Sequence, residues 1–128
     1  ADGVLVVHHH AVGAEVDPVG VRILDDDEVA GADVAATVEF VQQRDRDLAG
    51  QLRRAGASVP SCLAEGAQRA GRDRTQLYRV SGGSAAEVRT QVELAVAWGY
   101  VEQSAAEAAL ALADRVVAMT WRLTHPRR

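Results

Sequence analysis

Between Leu48 and Leu63 the apolar residues fall at steps of four and three, as Leu48, Leu52, Ala55, Val59 and Cys62 or Leu63. That is the period of one buried helix face and not of a strand. The segment around it, QLRRAGASVPSCLAEGAQRAG from Gln51 to Gly71, sets a proline and a double arginine into the same helix. Pro60 removes one amide donor and crowds the carbonyl of Gly56, so a kink is expected there and not a break.

The period recurs on both sides. Val34, Val38 and Val41 share a face with Leu48 across a turn near 44–47. Leu77, Val80, Val88, Val92 and Ala95 form a third row that ends at Trp98 and Gly99. Ala105, Ala109, Leu112, Val116, Met119 and Leu123 form a fourth, closed by Pro126. Helix two should end between Gly66 and Gly71, with Asp73 capping helix three. Gly82-Gly83 followed by Ser84-Ala85-Ala86-Glu87 reads equally as a break with a fresh capping box or as one continuous helix.

Four amphipathic segments of about 20 residues, each roughly 30 Å long, with short connections, predict an all-α, up-down-up-down antiparallel four-helix bundle over residues 25–124. Asp25, Asp26, Asp27 and Glu28 place negative charge where the first helix exposes its amides. Residues 1–24 read as an extended or partly strand-forming leader, with Val4 to Val7 β-prone, and 125–128 as a basic tail. His8, His9 and His10 point to alternate faces in an extended chain and make a poor chelate. A tag remnant or a solvated run is the plainer reading of them, against adventitious metal binding.

A chain of 128 residues has room for one core, and 48% apolar content with only five aromatics makes that core one of small, closely approaching side chains. No apolar run reaches the roughly 20 residues that span a bilayer, and the first residues lack the basic start of a secretory signal, so a soluble cytoplasmic protein is expected. The single Cys62 reads as a small buried apolar residue. Residues 1–40 carry a net charge of -8 and residues 41–128 a net +4, all of the positive charge being arginine.

The string QLRRAGASVPSCLAEGAQR from Gln51, followed by LYRVSGGSAAEVRTQVELAVAWGYV from Leu77 to Val101, resembles the four-helix-bundle family encoded within intervening sequences of 23S rRNA genes. That family reads Q-R-R-A, then S-I-P-N-I-A-E-G, then G-S-E, then G-Y-I or G-Y-V, and the likeness spans 34–124 of this chain. The resemblance implies a homo-oligomer, commonly a pentamer, without an established activity. It also implies a fold related to the accessory protein of diversity-generating retroelements, a basic pentamer that engages reverse transcriptase and RNA. Helix one here departs from the pattern, being acidic where the family carries an aromatic, lysine-rich helix, and Cys62 stands where alanine or asparagine is usual. The resemblance favours one continuous helix three, its glycines admitting close helix contact.

In an up-down bundle Arg69, Arg72, Arg74, Arg122, Arg127 and Arg128 converge at one pole, near Asp25 to Glu28. Mutual neutralisation on a wet surface is the bland reading of that pole. The sharper one is a ring of arginines, multiplied by oligomer symmetry, that holds phosphate backbones without reading bases. Arg53, Arg54, Glu65 and Glu87 are expected as structural ion pairs that fix helix register, Glu65 with Arg69 along the helix and the double arginine with Glu87 or a neighbouring subunit. A catalytic dyad among them is disfavoured, since no nucleophile accompanies it.

A di-iron site requires inward Glu-x-x-His pairs, and the one histidine outside the leader is His125, so no metal or cofactor is expected. Trp98, Tyr100 and Trp121 read as cover for a core edge or a subunit contact, against a stacking surface for bases. Two functions follow: a non-enzymatic homo-oligomeric scaffold that docks a protein partner through the acidic first helix or the apolar leader, or an RNA-associated module working through the arginine pole.

Overall fold

A computed structural model describes the backbone of residues 30–127 and the side chains from Val34 onward. Its elements are α1 (Ala30–Gln42), α2 (Arg46–Ala67), α3 (Gly71–Ala97) and α4 (Gln103–Thr124), and among the described residues there is no strand. The four helices form an antiparallel up-down-up-down bundle, each packing on its neighbours around a square. Gly66 against Tyr78, Val59 against Ser81 and Ser58 against Ser84 fix α2 antiparallel to α3. Gly82 against Thr120 and Arg89 against Asp114 do the same for α3 and α4. The leader, with Val4 to Val7, His8 to His10 and the acidic run Asp25 to Glu28, lies outside the described residues, as does Arg128.

The core follows the helical period. Val34, Val38 and Val41 on α1 and Leu48, Leu52, Ala55, Val59 and Leu63 on α2 are all buried. Each valine or leucine so buried contributes about 1.5–3 kcal/mol, which the short α1 needs because it has only 13 residues. On α3 the buried row is Tyr78, Ser81, Ala85, Val88, Val92 and Ala95, at alternating steps of three and four. This corrects the expected row: Val80 is 41% exposed and Leu77 is half-buried. The hydroxyl of Ser81 donates to the Val59 carbonyl at 2.9 Å, so a polar residue occupies the inward position at no unsatisfied cost. On α4 the row likewise turns by one position at its start. Ala106 is buried and Ala105 exposed, and Ala113 and Thr120 join Ala109, Leu112 and Val116, while Met119 and Leu123 are half-buried.

Helix ends follow local chemistry. The Asp45 carboxylate accepts from the Leu48 amide at 2.9 Å and caps α2. Helix α2 continues through Pro60 to Ala67 without a break. Helix α3 begins at Gly71, with Ala70 at its N-cap and no side-chain cap bond, so Asp73 sits in the first turn and is not the cap. There its charge still faces the positive end of the dipole. The far end of α3 closes in a Schellman motif: Gly99, at φ +77°, donates to Val96 and Tyr100 donates to Ala95. Helix α3 runs unbroken across Gly82 and Gly83.

Candidate functional site

Two surfaces gather the residues that the sequence singles out. The first is the pole where α2 ends, α3 begins and α4 ends. Arg69 reaches back four residues to Glu65 at 3.1 Å, with both side chains about half exposed. Arg74 is half-buried and turned inward, its guanidinium donating to the carbonyls of Gly66 and Ala67 at 3.3 and 3.4 Å. Helix α2 has no basic residue in its own last turn, so Arg74, from the next helix, supplies a cation at its carbonyl end, where the Gly66 carbonyl also accepts from the Arg69 amide at 3.0 Å. Arg72, Arg122 and Arg127 are exposed, and none makes an ion pair among the described residues.

Trp121 adds an aromatic to the same pole. It is 62% exposed, and its ring stacks on His125 with centroids 3.5 Å apart and planes 15° apart. The His125 Nδ1 lies 3.0 Å from the Thr124 hydroxyl and 3.1 Å from the Trp121 carbonyl. The indole therefore covers no core edge within the chain. Trp98, 56% exposed at the opposite pole, meets Tyr100 edge to face with ring centroids 6.0 Å apart, and Tyr100 is the one of the three aromatics that packs on the core edge.

The second surface is the outer face of α3. Of the residues expected as register-fixing ion pairs, Arg53 donates to the Gln42 side chain of α1 at 2.8 Å. Arg54 and Glu87 are exposed and form no ion pair among the described residues. The bridge that does join helices is one the sequence reading missed: Arg89 lies 3.2 Å from Glu93 on its own helix and 3.2 Å from Asp114 on α4. An acid four residues on, paired with a second acid on a neighbouring helix, was its only signal. Val80, Leu94 and Trp98 are exposed along α3, and Gly83 between them is open, a Cβ there meeting no atom within 4 Å.

The remaining candidates hold no ligand geometry. Cys62, expected to be buried, is half-buried, with its Sγ 3.6 Å from the Ser58 hydroxyl. Among the described residues no three of His, Cys, Asp and Glu converge in a way that could hold a metal. A depression lined by Glu39, Gln42, Gln43 and Arg46 lies at the pole opposite Arg72 and Arg122. No helix among the described residues is long and apolar enough to cross a membrane. At that same pole the Tyr100 hydroxyl reaches the Asp45 carboxylate at 3.4 Å. Desolvation, and then the Asp45 charge, raise the Tyr100 phenol above its ordinary value of 10.0.

A square antiparallel bundle with small-residue helix contacts and charge at its ends defines the class of protein. Within that class the chain belongs to the 23S rRNA-intervening sequence protein family, whose sequence pattern matches residues 29–122. Among curated proteins none matches the chain.

Proposed function

We propose that this protein is a non-enzymatic, homo-oligomeric helical scaffold, a ring of five being the size its family resemblance implies. The observation that carries the reading is the outer face of α3, where Val80, Leu94 and Trp98 are 41%, 36% and 56% exposed on a helix whose opposite face is fully packed. Large apolar side chains in one row on a small domain mark a surface that is covered in the assembled state. The test is the mass of the protein in solution by light scattering, with several copies expected. A single-chain mass removes the reading.

A second reading, binding of RNA phosphates without sequence readout, is favoured by one observation. Arg72, Arg122 and Arg127 share their pole with the exposed Trp121 and His125 stack. Filter binding over a salt series tests it: a steep loss of affinity with salt, reduced by Arg72→Ala and Arg122→Ala, supports it. No binding at low salt removes it.

A further inference from the structure

The two tryptophans, both exposed, stand in unlike surroundings. Trp98 meets Tyr100 at 70°, which offers no parallel stack, and its helix has no basic residue in its last turn. Trp121 lies within 15° of parallel to His125, and Arg122, in the last turn of α4, follows it directly. The imidazole is anchored. Its Nδ1 is within hydrogen-bond reach of the Thr124 hydroxyl and the Trp121 carbonyl, and the Thr124 hydroxyl donates in turn to the Thr120 carbonyl at 2.9 Å. The pair is thus a platform fixed to the end of α4. One indole face rests on the imidazole, and with 62% of the residue exposed the other face is in water.

Charge decides what the open face takes. Arg72, Arg122 and Arg127 are exposed at the same pole and make no ion pair among the described residues. The acids described there are Glu65, which is paired with Arg69, and Asp73 in the first turn of α3. An apolar protein surface would leave the guanidinium groups without partners, whereas a nucleotide brings a flat ring and a phosphate together. The ring must be free to leave its own stack. Bases inside a duplex lie on one another and show only their edges, so an unpaired base is the fitting ligand.

We propose that Trp121 and His125 form a stacking site for one unpaired nucleobase of single-stranded RNA, whose flanking phosphates Arg122 and Arg127 hold. The site rests on the RNA reading above and adds the class of RNA: strands and loops are preferred to duplex, and any base is accepted, since every base has a π-face. It lies on α4 and leaves the row of Val80, Leu94 and Trp98 on α3 to self-association.

Two strands of equal charge supply the test, a short oligoadenylate RNA and an abasic strand of the same length. The oligoadenylate should quench the tryptophan fluorescence of the parent protein, and the abasic strand should bind about tenfold more weakly without quenching, the order expected for one stacked base. Trp121→Leu should bind both strands as weakly as the parent binds the abasic one, while circular dichroism keeps the helix content. Trp121→Phe, which restores a stacking ring, should recover most of the affinity and show no quenching. Equal affinity of the parent for the two strands, or unchanged fluorescence on binding, overturns the stacking site and leaves phosphate binding standing. A lower mass of Trp121→Leu by light scattering makes the indole a subunit contact and overturns the site as well. No binding of either strand at low salt overturns both the site and the RNA reading.

Discussion

The ring of Tyr78 packs against Gly66, so that a Cβ at position 66 would stand 2.8 Å from Tyr78 Cε1 and 3.2 Å from the Leu77 Cβ. Tyr78 is the largest fully buried side chain of the bundle and anchors the half of the core that includes Val34, Val59, Leu63 and Val116. Glycine near the end of α2 is thus a packing requirement of α3. Gly66→Ala is expected to destabilise the fold by about 1–3 kcal/mol, as overpacking of a filled site does, read as a lower urea midpoint at unchanged slope.

Gly82 and Gly83 are adjacent in sequence and opposite in consequence. Gly82→Ala drives a methyl into the Thr120 hydroxyl, which already donates to the Val116 carbonyl at 2.8 Å, and should lower stability by about 1–2 kcal/mol. Gly83→Ala meets nothing and should raise intrachain stability by up to about 1 kcal/mol, the difference in helix propensity. Guanidinium unfolding of both variants in dilute protein reads the two signs.

These two glycines show how far the sequence could be read. The period of four and three located all four helices, because small apolar residues leave few other ways to bury a chain of this length. It failed where a polar residue faces inward. Ser81 was passed over for Val80, since hydropathy does not register that a hydroxyl can spend itself on the Val59 carbonyl across the helix contact. Ala105 was preferred to Ala106 because two alanines carry no difference in pattern, and the packing of α4 alone separates them. At the arginine pole the sequence gathered the residues and could not sort them. Whether a guanidinium caps a helix, pairs with an acid or faces water is decided by the geometry of the turn at 68–70.

That sorting makes Arg74 structural. Arg74→Ala should cost about 1 kcal/mol by removing the guanidinium's bonds to the carbonyls of Gly66 and Ala67, and Arg72→Ala should fall within about 0.5 kcal/mol of the parent protein. Thermal unfolding of the two variants side by side is the measurement.

Asp45 serves two partners, the Leu48 amide and the Tyr100 hydroxyl. Asp45→Ala should lose about 1 kcal/mol through the cap. The Tyr100 phenol holds its proton more tightly in the fold than in the unfolded chain, so its contribution to stability is complete below pH 10.0 and is lost as pH rises through the raised value. Ultraviolet titration should place the Tyr100 transition lower in Asp45→Asn than in the parent, because the charge that opposes phenolate is gone.

The central claim, that exposed apolar residues on α3 are covered by further copies of the same chain, is tested most directly by light scattering on the purified protein at micromolar concentration. The account predicts a several-fold multiple of the 13.6 kDa single-chain mass, and a mass of 13.6 kDa across the concentration range would contradict it.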